Sequence, residues 1–153
     1  MPIEAPKLLL HGIDTIQCAY YLTPPAAKHF NFAKLAIAKE QLRMDKSREP
    51  RALSLGGTEF FLHPYGSSSG YPFVLTNEDF KIECGEFNSP SFFVTFRSQA
   101  LWRYSASVLH ERFLHWATGV GCDIEQPESL SRVDWCFDYS LPERDFNADS
   151  FGT

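Results

Sequence analysis

Ser131-Arg132-Val133-Asp134-Trp135-Cys136-Phe137-Asp138-Tyr139 alternates apolar and polar side chains with a period of two. Read as an extended strand, it sends Val133, Trp135, Phe137 and Tyr139 to one face and Arg132, Asp134, Cys136 and Asp138 to the other. A strand with one apolar side and a charged row on the other suits the middle of a sheet that carries helices on its back and a polar or reactive front.

Working outward, Ser98 is a plausible N-cap for a helix running to about Val120, with Trp102, Ala106, Leu109, Phe113, Trp116 and Val120 at spacings of three and four. Before it, short alternating runs at Thr58 to His63, Phe73 to Thr76, Phe80 to Gly85 and Phe92 to Arg97 are separated by turn residues and predict an antiparallel meander. Residues from Ala26 to about Lys46 predict an earlier helix, with Phe30, Ala33 and Ile37 on one stripe and Leu35, Ala38 and Leu42 beside it. Gly12 to Leu22 predicts the first strand, which Pro24-Pro25 stops because proline donates nothing to a ladder. The resulting order is that of an α+β fold: an antiparallel sheet with two helices packed on one face, an elaborated βαββαβ of the ferredoxin or RRM kind.

A chain of 153 residues with 44% hydrophobic and 15% aromatic residues suffices for one domain with a real core. Its formal charge of −5 argues against wholesale nucleic-acid binding, yet the charge is unevenly placed. Lys28, Lys34, Lys39, Arg43, Lys46, Arg48 and Arg51 outnumber Glu40, Asp45 and Glu49, so this segment is basic. Cys122 to Asp149 is acidic, with only Arg132 and Arg144 against a row of carboxylates. The four cysteines, Cys18, Cys84, Cys122 and Cys136, form no C-x-x-C pair and read as isolated thiols, mostly buried. The amino terminus does not resemble a secretory signal and no run approaches the ~18 apolar residues of a membrane span, so the expectation is a cytoplasmic protein without a membrane partner.

The alternation collects Thr15, Gln17, Glu59, His63, Lys81, Glu83, Thr95, Arg97, Arg132, Asp134, Cys136 and Asp138 on the front of the sheet. At roughly 3.3 Å per residue, Asp134 and Asp138 stand about 13 Å apart on a regular strand and cannot share an ion. Each would need a partner from another strand, with Glu83, Glu59 and His63 as candidates, and oxygen-rich ligation of that kind favours Mg²⁺ or Mn²⁺. Phosphate-loop, nucleophile-elbow and zincin motifs are absent, and no small-molecule cofactor is expected.

Four segments, Gly12-Ile-Asp-Thr-Ile, Leu75-Thr-Asn-Glu-Asp-Phe, Phe93-Val-Thr-Phe-Arg-Ser-Gln-Ala-Leu-Trp102 and Ser131-Arg-Val-Asp-Trp-Cys-Phe-Asp138, together resemble the amino-terminal part of phage and plasmid replication initiation proteins of the rolling-circle kind. The resemblance implies origin DNA, single-stranded or cruciform, as the partner, with a helicase as a further one. It implies strand nicking through a tyrosine that keeps the 5′ end, aided by a divalent metal. Asp134, Asp138 and Glu83 are then the candidate metal ligands, and Arg132 orients the aspartates or a phosphate. Arg97, Lys34, Lys39 and Arg43 are candidate DNA contacts. The His-x-His pair of one large nickase class is missing, which points to an acidic metal site. The chain stops soon after the Asp138 strand, so the resemblance reads it as the amino-terminal portion of a longer initiator, with the nucleophile downstream. Two other readings stand beside it: a non-catalytic DNA- or protein-binding module using the basic helix, and an α+β domain with a small-molecule pocket.

Overall fold

The computed structural model describes residues 13–28 and 30–135. Asp138, Cys136 and the end of the quoted strand lie outside these residues.

The described chain runs β1 (Ile13–Leu22), α1 (Phe32–Met44), β2 (Arg51–Leu55), β3 (Thr58–Leu62), β4 (Phe73–Thr76), β5 (Phe80–Cys84), β6 (Phe92–Phe96), α2 (Ser98–Arg103), α3 (Ala106–Gly119) and β7 (Ile124–Trp135). The strands form one antiparallel sheet in the order β2-β3-β4-β5-β6-β1-β7. This is an α+β fold, with seven strands where the sequence predicts six. The meander gains β2, because Gly56 and Gly57, at φ 62° and 81°, make a two-residue turn in which Leu55 faces Thr58. Positive φ at both turn positions matches the right-handed twist of the flanking strands, and glycine adopts it without a Cβ clash.

The core lies on one face of the sheet, under the helices. Ile16, Cys18, Tyr20 and Leu22 alternate into it from β1, as do Phe60 and Leu62 from β3, Phe80, Ile82 and Cys84 from β5, and Phe92, Val94 and Phe96 from β6. Helix α3 sets Phe113 against Tyr20, Phe80, Phe92 and Trp116, with ring centroids between 4.5 and 6.0 Å. Helix α1 brings Phe32 to Phe73 and Phe92 on the same face. Both long helices therefore cover one side, as the sequence pattern predicts.

Three expectations need correction. The single helix from Ser98 to Val120 is two, because Tyr104 is extended (φ −118°, ψ −179°) and Ser105 caps a fresh start by accepting from the Val108 amide at 3.2 Å. Trp102 consequently leaves the predicted core stripe and is 55% exposed. Helix α1 begins at Phe32 rather than Ala26, capped by Asn31, which accepts from the Lys34 amide at 2.9 Å, and Ile37 faces outward. Finally, β7 is not central: among the described residues it is the outermost strand beside β1. An edge position accommodates Pro127 within β7, since among the described residues its outer backbone groups feed no ladder. Several register shifts against β1 accompany this. No described helix is long and apolar enough to cross a membrane.

Candidate nucleic-acid interface

The front of the sheet is set by the alternation that fills the back. With Ile16 and Cys18 turned into the core, Thr15 and Gln17 face forward; Lys81 and Glu83 do so on β5, and Phe93 and Thr95 on β6. The register aligns Arg132, Gln17, Thr95, Lys81, Thr76 and Phe61 in one row across six strands. Neighbours in such a row are about 4.8 Å apart. Gln17 Nε2 donates to Thr95 Oγ1 at 3.3 Å within it. Lys81 and Arg132 are exposed, and Phe61 is 48% exposed with its ring on the surface.

The adjacent row holds Ala19, Phe93, Glu83 and Val74. It is drier, because Tyr71 stacks on Phe93 at a centroid distance of 6.4 Å and fixes its hydroxyl by donating to the Pro90 carbonyl at 2.9 Å. Glu83 is buried here, at 6% exposure.

At the far end of β6, Arg97 is exposed, and its Nη1 donates to the Asn77 carbonyl at 2.9 Å, which fixes the guanidinium over the β4–β5 turn. His63, just past β3, has Nε2 3.0 Å from Thr76 Oγ1. Its pKa lies below the ordinary histidine value, first because burial disfavours the charged ring and then because Lys81 and Arg97 add positive charge nearby.

The sequence-derived site residues among those described separate into four places: the front of β7, Glu83 on β5, Arg97 past the end of β6, and α1. Arg132 and Asp134 share the front of β7, where Arg132 Nε donates to Asp134 Oδ1 at 3.0 Å. Both side chains are substantially exposed, and such a pair contributes at most about 1 kcal/mol. Glu83 is three strands away from Asp134 and displaced by four residues along the sheet, a separation of about 19 Å at strand spacings. Those two carboxylates cannot ligate one ion. Among the described residues no group of three or more His, Cys, Asp or Glu side chains is placed to hold a metal. The described part of the chain therefore does not by itself fit an Mg²⁺ or Mn²⁺ centre, and no catalytic step is derived through one.

Lys34, Lys39 and Arg43 stand on α1, on the opposite side of the sheet from Lys81, Arg97 and Arg132. They do not act alike. Lys34 is exposed, Arg43 pairs with Glu40 at 3.3 Å, and Lys39 is drawn down so that Nζ donates to the Pro72 carbonyl and lies 5.7 Å from the centre of the Phe73 ring. Partial burial and the neighbouring Arg43 lower the Lys39 pKa.

Lys81, Phe61 and Phe93 were legible as front-face residues by their period of two. Their importance depends on knowing that neither long helix covers that side. Arg103 gave no signal, because the sequence merges α2 with α3.

Compared with protein-family models, curated proteins and solved structures, the chain matches none.

Proposed function

We propose that this chain is the DNA-handling domain of a replication initiator of the rolling-circle kind, and that it receives single-stranded DNA on the open front of its sheet. One observation carries the reading: every long helix packs on the back, while the front presents Lys81, Arg97 and Arg132 together with the surface ring of Phe61 and the half-buried ring of Phe93. Cations along a backbone path with aromatic faces between them are the usual means of holding single strands without base-specific hydrogen bonds. The four sequence segments that resemble such initiators support the same reading. Strand nicking belongs to the same proposal, with Asp134, exposed beside Arg132 on β7, as one carboxylate of a divalent-metal site whose other ligands lie outside the described residues.

The alternative surface, the basic helix α1, is less suited because Lys39 is already engaged by Pro72 and Phe73.

The test is fluorescence anisotropy with a labelled single-stranded oligonucleotide over a salt series. Three front-face cations predict a slope of log K against log salt of about −2, at roughly −0.7 per phosphate on single strands. Lys81→Glu and Arg97→Glu are expected to weaken binding by about tenfold or more, and Lys34→Glu to change it little. A stronger loss in Lys34→Glu than in Lys81→Glu would move the interface to α1. For the nicking part, cleavage of supercoiled origin DNA should need Mg²⁺ or Mn²⁺ and fail in Asp134→Ala.

A further inference from the structure

At the end of the sheet where β3 begins and β6 ends, the front face turns into a groove of about 910 Å³. One wall is the surface of Phe61 and Thr76, the floor is the Asn77-Glu78-Asp79 turn, and the other wall is α2 with Arg97 at its foot and Arg103 at its far end. A volume of this size suits a group as large as a nucleotide.

Hydrogen bonds from two sides hold the floor. Asn77 Oδ1 accepts from the Asp79 and Phe80 amides at 2.9 and 2.8 Å, closing the turn. Arg112, from α3, donates to Asp79 Oδ2 at 2.7 Å and lies 4.2 Å over the Tyr104 ring, so Asp79 is neutralised and α2 is tied to the floor. Arg97, which lines the groove, spends one N–H on the Asn77 carbonyl and retains its other guanidinium donors. The cavity has a mixed charge: Arg97 and Arg103 stand against Glu59 and Glu78. A lone anion would meet the two carboxylates as well as the two arginines, so charge alone does not select it. What distinguishes the groove is a large exposed aromatic ring beside two guanidinium groups, a combination matched to a planar base and its adjoining phosphate.

We infer that this groove takes one unstacked base of a bound single strand, with the base against Phe61 and its flanking phosphate on Arg97 and Arg103. The inference rests on the DNA reading above and adds a specific position to it. A strand lying along the row from Arg132 to Phe61 reaches the groove without leaving the front face.

Phe61 is a surface residue, so truncating it leaves the core intact. With a single-stranded oligonucleotide, Phe61→Ala is expected to weaken binding about tenfold and Phe61→Trp to restore it, because any flat aromatic supports stacking. Arg103→Ala should weaken binding severalfold. An oligonucleotide made wholly of abasic sites should bind the wild type about tenfold more weakly and should no longer distinguish Phe61→Ala from wild type. A 2-aminopurine placed at successive positions should report altered stacking at one position in the wild type and at none in Phe61→Ala. If Phe61→Ala binds as well as the wild type while Lys81→Glu does not, the groove assignment fails and the DNA reading stands. If the wild-type chain binds no single-stranded DNA at all, both fail.

Discussion

Lys39 carries a charge that its helix does not offer freely to solvent. By sequence it is one more cation in a basic segment; in the fold its ammonium group satisfies the Pro72 carbonyl, next to the Phe73 ring. Removing it should therefore act on stability before any partner is present. Lys39→Ala is expected to lose about 1 kcal/mol in urea unfolding, the usual net value of one such bond, whereas Lys34→Ala should stay within about 0.5 kcal/mol of wild type. Equal stabilities for the two variants would refute the engagement of Lys39. His63 makes a second residue-scale case. Folding lowers its pKa below the ordinary 6.5, so the unfolded chain takes up the proton first. The stability it permits is complete above that value and declines as pH falls from about 6.5 toward the lower folded-state pKa. Comparing unfolding free energies at pH 7.5 and 5.5, His63→Gln should show a smaller loss on acidification than wild type. A loss as large as the wild type's would mean that His63 titrates alike in both states.

The β2–β3 hairpin shows how an element is fixed by two glycines and one indole. Trp116 Nε1 donates to the Leu55 carbonyl at 2.8 Å, which seats the turn on α3. A Cβ on Gly56 would stand 2.5 Å from Val120 Cγ1 and 3.2 Å from Trp116 Nε1, at a φ of +62° that side chains other than glycine adopt at a cost. Gly56→Ala is expected to destabilise the protein by about 1–3 kcal/mol. Gly57, also at positive φ but with nothing within 4 Å of its Cβ position, should cost only about 1 kcal/mol as alanine. A thermal-unfolding comparison that ranked the two the other way would contradict the close packing of this turn. The break between α2 and α3 is also an element-scale event. Ser105 is a good N-cap by type, and reading it as one would have separated the helices from sequence alone. The continuous spacing of apolar residues from Trp102 to Val120 hides it, because a hydrophobic stripe reports which residues can face a core and not whether the backbone between them is unbroken.

Across the molecule, Phe113 is where the sheet and α3 meet, fully buried among four other aromatic rings. Phe113→Ala should cost about 3–5 kcal/mol in equilibrium unfolding, a large part of the stability of a domain this size. A loss under about 1 kcal/mol would mean that these rings do not share one core. The one-sided placement of the helices is the other property of the whole. It leaves the front of the sheet uncovered by either long helix, and it puts the cations of α1 and the cations of the front on opposite sides of the sheet.

The sequence by itself determined which strand side chains turn to the core face and which turn away from it. Period-two runs at Ile16 to Leu22, Phe60 to Leu62, Phe80 to Cys84 and Phe92 to Phe96 leave little freedom, because a slip of one residue would turn the core-facing set of each strand to the opposite face. It also determined the α+β class, through the order of those runs and the two apolar helical stripes. Only the tertiary structure decided which strands are neighbours, since strand order depends on contacts between residues far apart in the chain, which local periodicity does not encode. That is why β7 reads as central and lies at an edge, why Asp134 and Glu83 share a face but stand about 19 Å apart, and why Phe61, Arg97 and Arg103, from three different elements, come to line one groove.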